Sequence, residues 1–465
     1  MFAPAGASTS FSVGTRLQMN FFWNSPLHET VKSTERYVRI ERRRNHLLQW
    51  LSSYQAESPT SSNQGTEGVA FQKWFRFKEA YSPKFVTDTL ASLPYAVERC
   101  LDPFGGSGTT ALTCRMLGVN SVTTEVNPFL ADLIQAKLTP IKTVEFEKNV
   151  ARILKGLRVS KHDTSIPEGF PSTITEPGTK GRYIFPLDVY STARAILRRS
   201  EEMEIAHRRL VRILLGSVLI ENSNVRINGK GRRYRNNWEE RQSCHEKLLK
   251  DFRIAVAEAV EDLNQFSRVP NGNHRVIVGD ARKSLSRVKS ADMTIFSPPY
   301  PNSFDYTDVY NVELWMLGYL SGNDDNRQLR QSTLRSHVQT KWEPLSETSI
   351  KSTRLNCVVR KLNENLDQLW DRNIPAMVQM YFEDLFVIFS HLQRILPIGH
   401  HAVVAIGDSQ YAGILIDVSE ILPEVASHAG FVVTNMGQIR SMRSSSQHGG
   451  NFDLFEYCII LERKN

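Results

Sequence analysis

Two short segments of the 465-residue chain combine residue types that could do chemistry. Residues 102–110 read DPFGGSGTT, and residues 297–300 read SPPY. Glycines let a backbone approach a ligand closely, whereas two consecutive prolines hold the chain extended and remove two amide donors. The first segment therefore predicts a ligand-binding turn and the second a rigid loop that presents hydrogen-bond acceptors.

The glycine-rich segment favours a nucleoside with an amine over a phosphate. It lacks the phosphate-binding pattern G-x-x-x-x-G-K-[ST], and the carboxylate of Asp102 would repel a pyrophosphate but suit an amine. Glu125 ends the next predicted strand, 17 residues after Gly108, where an acid commonly accepts hydrogen bonds from ribose hydroxyls. An ordinary glycine turn beside an unrelated surface glutamate is the alternative.

The second segment has the acceptors that an attacking amine requires. The Ser297 hydroxyl and the Pro298 carbonyl can point into one pocket. They would hold the hydrogens of an exocyclic amine so that its lone pair faces a methyl sulfonium, and catalysis would rest on positioning and electrostatics. Tyr300 offers an aromatic face to a base that has left its duplex. Alone, the segment is also compatible with a structural proline turn after a strand.

Together the two segments resemble the DNA amino-methyltransferases that form N4-methylcytosine or N6-methyladenine. Three further segments extend the resemblance to about half of the chain. Residues 80–85 (AYSPKF) are similar to the cofactor-flanking segment of that family, and residues 125–128 (EVNP) to its acidic ribose motif. Gly279 and Asp280 are similar to the motif whose acid contacts the cofactor adenine.

The resemblance implies an α/β fold of the Rossmann-like methyltransferase type, with a mainly parallel seven-stranded sheet, and S-adenosylmethionine as the cofactor. Asp102 would meet the amine of its methionine part, Glu125 its ribose and Asp280 its adenine amine. The methionine part would be wrapped by Phe104, Gly105, Gly106, Gly108 and Thr109. The target base would be held by Ser297, Pro298, Pro299 and Tyr300, and residues 303–310 would continue the loop over it.

The resemblance also bears on the substrate. In the family, serine at the first position of the catalytic motif is typical of cytosine N4, and Asp or Asn of adenine N6, so Ser297 predicts cytosine and leaves adenine as the alternative. The expected partners are double-stranded DNA and the cognate enzyme of a restriction-modification system. An RNA or protein-glutamine methyltransferase would use the same loop chemistry, and a DNA-binding relative without activity would keep the same fold.

The elements that must position these motifs follow a βαβα rhythm, which is typical of a parallel sheet flanked by helices. Short strands are predicted at 99–101, 121–124, 275–278, 292–296, 402–406, 431–434 and 455–461. Residues 191–219 predict one basic amphipathic helix. The expected organisation is an N-terminal extension and linker (1–67), two parts of the core (68–141 and 274–465), an insertion at 142–273 and a smaller one at about 323–366.

Charge points to the larger insertion as the DNA-recognition region. The chain carries a net charge of +8 with a pI near 9.1, which suits a polyanionic partner. Residues 190–241 contain 12 Lys and Arg against 6 Asp and Glu. Such cations can neutralise phosphates and enter a groove, although a solvated surface is the alternative. The predicted DNA contacts are Arg226, Lys230, Arg232, Arg233 and Arg235.

The remaining composition narrows the class of protein. The five cysteines are odd in number and include no C-x-x-C pair, which argues against a disulfide framework and a zinc site, and the predicted reaction requires no metal. No signal-peptide pattern occurs, and no stretch approaches the ~20 apolar residues of a membrane helix. A cytoplasmic location is expected.

Overall fold

A computed structural model of the chain describes residues 41–55, 62–228, 231–241, 243–340, 350–442 and 453–464. Most of the predicted N-terminal extension and Lys230 lie outside these residues. The elements are α1 (Glu41–Trp50), α2 (Pro83–Ser92), β1 (Arg99–Asp102), α3 (Thr109–Leu117), β2 (Asn120–Glu125), α4 (Pro128–Leu138), α5 (Thr143–Leu154), α6 (Lys161–Thr164), α7 (Leu187–Ser200), α8 (Ile205–Leu219), β3 (Val225–Asn228), β4 (Gly231–Tyr234), α9 (His245–Gln265), β5 (His274–Val278), α10 (Ala281–Ser284), β6 (Met293–Phe296), α11 (Tyr306–Val309), α12 (Asn311–Met316), α13 (Asn323–Ser332), α14 (Thr353–Glu364), α15 (Ile374–Ile395), β7 (His401–Gly407), β8 (Ser409–Tyr411), β9 (Ile414–Ile416), α16 (Val418–His428), β10 (Phe431–Met442) and β11 (Leu454–Arg463).

Seven strands form one sheet in the spatial order β10-β11-β7-β6-β1-β2-β5. The strands from β5 to β7 pair in parallel, and β11 runs antiparallel between β7 and β10. Counted along the chain, the strands of this sheet lie in the order sixth, seventh, fifth, fourth, first, second, third. This topology confirms the predicted Rossmann-like methyltransferase fold.

The central strands are short and apolar because helices cover both of their faces. All four residues of β6 are buried, and β1 is buried at every position except Arg99. The two strands pair in parallel with Leu101 opposite Thr294, although 193 residues separate them in the chain. Their carboxyl ends therefore meet at one edge of the sheet, and the two chemical motifs follow directly from that edge.

Two apolar clusters lie on the faces of the sheet. One includes side chains of α1, α4, α8 and α9, and the other includes side chains of α15, α16 and the adjoining strands. The region predicted as an insertion packs into the first of these clusters, and α8 lies against α4. In addition, the Asp262 carboxylate on α9 accepts hydrogen bonds from the Phe71 amide (2.8 Å) and the Trp74 indole (2.9 Å). This region thus shares a core with the first part of the sheet.

Two sequence predictions of element length are wrong. Residues 191–219 form two helices, because the chain turns after Ser200: the Ser200 hydroxyl bonds back to the Leu197 carbonyl, and the side chain of Met203 is buried within the turn. Strands β10 and β11 contain 12 and 10 residues, longer than predicted, since they pair with each other through two register shifts. Among the described helices, none has both the length and the apolar composition needed to cross a membrane.

Candidate active site

A cavity of about 350 Å³ lies at the carboxyl edge of the parallel strands, within the size range usual for a small-molecule site. The loops after β1, β2, β5 and β6 all contribute to its wall. The predicted site residues that line it are Phe104, Gly105, Gly106, Thr109, Glu125, Asp280, Ser297, Pro298, Pro299 and Tyr300. Asp102 and Gly108 are adjacent to this wall in the chain but do not line it.

The glycine loop is shaped by close contact with β2 and α4. A Cβ at Gly105 would lie 2.3 Å from Thr123 Cγ2, so only glycine fits there, and the Gly105 amide donates to the Thr124 carbonyl at 2.9 Å. Gly106 has a φ of +51°, which favours glycine. Gly108, with a φ of +85°, precedes the first turn of α3 and faces the side chain of Ile134. It therefore shapes the loop from behind.

Asp102 lies beneath the loop and is only 2% exposed. Its Oδ1 accepts a hydrogen bond from the Phe104 amide and its Oδ2 one from the Tyr81 hydroxyl, each at 3.0 Å. Burial raises the pKa of Asp102 to about 6. Tyr81 lines the cavity while Asp102 does not, so the carboxylate supports the loop from within and reaches the cavity wall through its tyrosine partner.

Glu125 lies in the wall with both carboxylate oxygens oriented by backbone amides. Its Oε1 accepts from the Asn127 amide at 2.8 Å and its Oε2 from the Gly106 amide at 2.7 Å. Burial raises its pKa to about 7. The residue is 7% exposed and keeps further lone pairs that a ligand hydroxyl could use. The local geometry thus joins the acid after β2 to the glycine loop after β1.

Asp280 is held at the wall by a guanidinium. Arg282 contacts both of its oxygens at 2.9–3.1 Å. Arg282 also pairs with the buried Asp384 at 2.9 Å, and Asp384 in turn pairs with Arg335 at 2.6 Å. Arg335 belongs to the segment 332–338, most of which lines the cavity. A network of alternating charges therefore connects Asp280 to the segment 332–338. No sequence motif marks that segment.

The catalytic segment has its own hydrogen bonds. The Ser297 hydroxyl donates to the Tyr300 hydroxyl at 3.4 Å, and the Tyr300 hydroxyl donates to Glu456 on β11. Glu456 also accepts from Arg440 Nε at 2.6 Å. Burial, together with the negative charge of Glu456, keeps the pKa of Tyr300 well above its ordinary value. Tyr300 therefore presents its ring to the cavity while its hydroxyl is bound to the far strands of the sheet.

Three aromatic side chains add to the wall: Phe304 and Tyr306 from the predicted loop 303–310, and Phe77, which no sequence motif marks. The rings of Phe77 and Tyr310 stack with centroids 5.4 Å apart, and the Tyr310 hydroxyl donates to Glu79 at 2.7 Å. Tyr306 packs edge-on against Phe304 at 4.5 Å. Their sequence signal is the aromatic-rich run of residues 71–85 and the aromatic residues within 303–310. The rings of Phe77, Phe304 and Tyr306 thus give the cavity apolar surface on which a planar ligand could stack, and Tyr310 packs against Phe77.

The basic segment of the larger insertion forms the hairpin β3–β4, with Arg226 paired opposite Arg233. Arg226, Arg232 and Arg233 are exposed, and β4 contacts α11, the helix that follows the catalytic loop. Arg235 is different, because its guanidinium donates to the Val225 carbonyl at 2.9 Å and to the Ile220 carbonyl at 3.2 Å. The structure thus places three of the predicted cations on a hairpin next to the catalytic loop and assigns the fourth to holding that hairpin.

The strand order is that of the Rossmann-like methyltransferase fold, and the cavity lies at the carboxyl ends of its parallel strands. The chain is similar to Type II methyltransferases over most of its length. It is 26% identical over 427 residues to Type II methyltransferase M.AvaI of Nostoc sp., covering 84% of this chain and 86% of that protein. It is 24% identical over 479 residues to Type II methyltransferase M.BsoBI of Geobacillus stearothermophilus, covering 92% and 90%.

These similarities confirm the family resemblance that the motifs indicate. No family model matches the chain. The chain is also similar to the solved structure of the rRNA methyltransferase aviRa from Streptomyces viridochromogenes. The match covers 83% of this chain and 86% of that one, with 12% identity and a TM-score of 0.28. That similarity is too weak to bear on fold or substrate.

Proposed function

We propose that the protein is a site-specific DNA methyltransferase that transfers a methyl group from S-adenosylmethionine to the exocyclic amine of a base, with cytosine N4 as the preferred target. The observation that carries this proposal is that a glycine loop with two acids and the SPPY loop open into one cavity. The names of the Type II methyltransferase relatives support DNA as the substrate and a restriction-modification system as the setting.

The residues on the cofactor side fit a nucleoside that carries hydroxyls and an amine. S-adenosylmethionine, when bound, supplies an electrophilic methyl group on a sulfonium. Glu125 would accept hydrogen bonds from the ribose hydroxyls and Asp280 from the adenine amine. Gly105 and Gly106 leave no side chain between the loop and the cavity, so Phe104, Ser107 and Thr109 can border the methionine part.

The residues on the base side fit an amine nucleophile. The Ser297 hydroxyl and the Pro298 carbonyl would accept the two amine hydrogens and turn the nitrogen lone pair toward the methyl group. The bound S-adenosylmethionine would supply its methyl group to this lone pair, with the S–C electron pair returning to sulfur, and the methylated nitrogen would release one proton to solvent. The residues act by positioning and by electrostatics, and Tyr306 and Tyr300 would flank the flipped base.

Two features favour cytosine over adenine. Serine at position 297 matches the cytosine-type motif. Arg440 lines the cavity together with Tyr300, and its guanidinium supplies hydrogen-bond donors there. Cytosine carries an O2 acceptor on the edge that also bears its N4 amine, whereas adenine has a C2–H at the corresponding place. A donor on this wall therefore favours cytosine, and adenine N6 is the alternative target.

The exposed arginines of hairpin β3–β4 support DNA as the polymer. Arg226, Arg232 and Arg233 lie on the hairpin that contacts the helix after the catalytic loop. Phosphates that flank a flipped base would need cations near that loop. We therefore assign these three arginines to the DNA backbone and exclude Arg235 from that role.

The substrate class is tested by incubating the purified protein with labelled S-adenosylmethionine and either duplex DNA, RNA or protein. We expect label in DNA alone. Label in RNA or protein would overturn the proposal, and binding of DNA without binding of S-adenosylmethionine in calorimetry would identify an inactive relative.

Expression in a methylation-free bacterial host, followed by single-molecule sequencing, identifies the methylated base. We expect N4-methylcytosine at one recurring sequence motif. Detection of N6-methyladenine instead would show that adenine is the target base.

A further inference from the structure

Glu456 is a buried acid behind the catalytic loop that no motif marks. It lies on β11, is 2% exposed and pairs in register with Gly407 at the end of β7. It follows Tyr300 by 156 residues in the chain, yet it accepts the hydrogen of the Tyr300 hydroxyl. Arg440 on β10 donates to its other oxygen at 2.6 Å. A charge-assisted bond of this kind orients the carboxylate strongly.

The order of these bonds sets the direction of the Ser297 hydroxyl. A carboxylate paired with an arginine can only accept hydrogen bonds, so Tyr300 must donate to it. The oxygen of Tyr300 is then the acceptor for the Ser297 hydrogen, at 3.4 Å. A hydroxyl has one hydrogen and two lone pairs, so Ser297 keeps its lone pairs for another donor. The donor that the proposed reaction brings is the target amine.

We propose that Glu456 is a positioning residue that acts through Tyr300 to make Ser297 an acceptor for the target amine. The inference rests on the proposed function and deepens it. Without the carboxylate, the Tyr300 hydroxyl could turn and donate to Ser297, and the Ser297 hydrogen would then point toward the amine hydrogens. Two donors would oppose each other, and the amine would lose one of the hydrogen bonds that align its lone pair.

The surroundings of the Tyr300 ring favour this arrangement. A Cβ at Gly407 would lie 2.8 Å from Tyr300 Cε2 and 2.6 Å from the terminal carbon of Met442. The ring is therefore packed directly on the backbone at the end of β7. Because the ring has little room to move, its hydroxyl stays within reach of both Glu456 and Ser297.

The first part of the test compares three single variants with the wild-type protein. Tyr300→Phe keeps the ring and removes the hydroxyl, while Glu456→Gln keeps the shape and can either donate or accept. Glu462→Gln is the matched control, since Glu462 lies on the same strand and pairs with Lys464 at 2.6 Å. We expect Tyr300→Phe to lower kcat about tenfold and Glu456→Gln to lower it less, with KM and S-adenosylmethionine affinity within about twofold of wild type. The control should retain wild-type kcat.

The second part asks whether the residues act as one unit. If Glu456 and Tyr300 act only through Ser297, then Ser297→Ala/Tyr300→Phe and Ser297→Ala/Glu456→Gln should be no slower than Ser297→Ala alone. A merely structural role would lower kcat further in each double variant, by the same factor as in the single variant. Such multiplicative losses, or an equal loss of cofactor affinity, would overturn the proposal.

A readout without activity separates this inference from the proposed function. In urea unfolding, the shift in midpoint for Tyr300→Phe/Glu456→Gln should be smaller than the sum of the two single shifts, because both remove the same bond. Additive shifts would overturn the link whatever the substrate. A wild-type chain that binds S-adenosylmethionine but methylates no DNA would instead overturn the proposed function, and the unfolding cycle would still decide the Tyr300–Glu456 link.

Discussion

At the scale of single residues, burial moves the pKa of one acid in the cavity wall, Glu125, close to neutral pH. Burial raises the pKa of Glu125 to about 7, although two backbone amides bind its oxygens. Its carboxyl is therefore largely protonated at pH 6 and largely ionised at pH 8. An ionised carboxylate is the stronger acceptor for ribose hydroxyls.

We therefore expect the affinity for S-adenosylhomocysteine, a stable analogue of the cofactor, to rise roughly tenfold between pH 6 and pH 8. Isothermal titration calorimetry at pH 6, 7 and 8 measures this change. Glu125→Gln should bind more weakly at pH 8 and show no such rise, because its amide does not titrate. A variant that kept the wild-type pH profile would assign the titration to another group.

The residues of the site also differ in how well the sequence predicts their positions. Glu125 and Asp280 can be predicted because each lies directly at or after the end of a short strand, and such ends meet at one edge of a parallel sheet. Glu456, which lines the cavity, and Arg335, which pairs with Asp384 behind it, cannot be predicted, since their positions depend on pairing with elements far away in the chain. Asp102 lies at the predicted turn, but its side chain is beneath the loop.

At the scale of elements, the glycine loop is fixed by how closely β1, β2 and α4 approach one another. Gly105 has no room for a methyl group, because the Thr123 side chain on β2 and the side chain of Ile134 lie against it. Overpacking of this kind forces either the loop or the helix to move. The loop is the part that borders the cavity.

Gly105→Ala should therefore lower cofactor affinity at least tenfold and reduce stability by about 1–3 kcal/mol. Gly322→Ala is the matched control, since a Cβ there meets nothing within 4 Å. Calorimetry with S-adenosylhomocysteine and urea unfolding measure the two effects. Equal behaviour of the two variants would contradict the packing argument.

The hairpin β3–β4 is the element assigned to DNA. Replacing Arg232 and Arg233 by glutamine should weaken DNA binding and make the dependence of log K on log salt shallower by about 0.9 for each phosphate that is no longer neutralised. The control removes two exposed arginines elsewhere, Arg360 and Arg372, whose side chains are 71% and 81% exposed. Fluorescence anisotropy over a range of salt concentrations compares the slopes. An unchanged slope in the hairpin variant would remove this hairpin from the interface.

Element lengths are less predictable than element types. Residues 191–219 have a continuous basic and apolar pattern, yet the chain turns at residues 201–204. The turn is stabilised by tertiary contacts, including pairing of Arg208 and Arg212 with Glu201 at 2.8 Å. Such contacts override helix propensity, which is a weak guide on its own.

At the scale of the whole molecule, folding buries a carboxyl group of which one oxygen has no hydrogen-bond partner among the described residues. Glu313 on α12 is 2% exposed, and in the described part of the chain its Oε2 has no hydrogen-bond partner. Burial raises its pKa to about 8. At a pH between the ordinary pKa of 4.5 and this raised pKa, Glu313 is protonated in the folded state and ionised in the unfolded chain. Its contribution to the free energy of unfolding therefore decreases as the pH rises through this range.

Glu313→Gln should remove that contribution. Relative to wild type, the variant should gain free energy of unfolding progressively from pH 5 to pH 8 and gain little more beyond that range. Urea unfolding at each pH measures the difference between the two proteins, which cancels the other titrating groups. A difference that did not change with pH would show that the Glu313 carboxyl already titrates normally.

The overall architecture is the most predictable level. The sequence predicts seven strands and the polar residues that follow several of them. The methyltransferase topology follows once the glycine loop is assigned to the end of β1 and the SPPY loop to the end of β6. The sequence does not predict the hairpin β8–β9. It also does not predict that the region 142–273 packs into the same apolar core as α1 and α4. Both depend on side chains that meet only in the folded chain.

The pairing of β1 with β6 has a consequence for distance. The two loops proposed to hold the methyl donor and the target base follow neighbouring strands, which lie about 4.8 Å apart, so one strand spacing would separate the two reactants before any side chain adjusts them. The Thr294 hydroxyl, 2.9 Å from the Leu101 carbonyl, ties the two strands together in the core. In the proposed reaction, a residue that contacts neither reactant would thereby help to set the length of the path along which the methyl group travels.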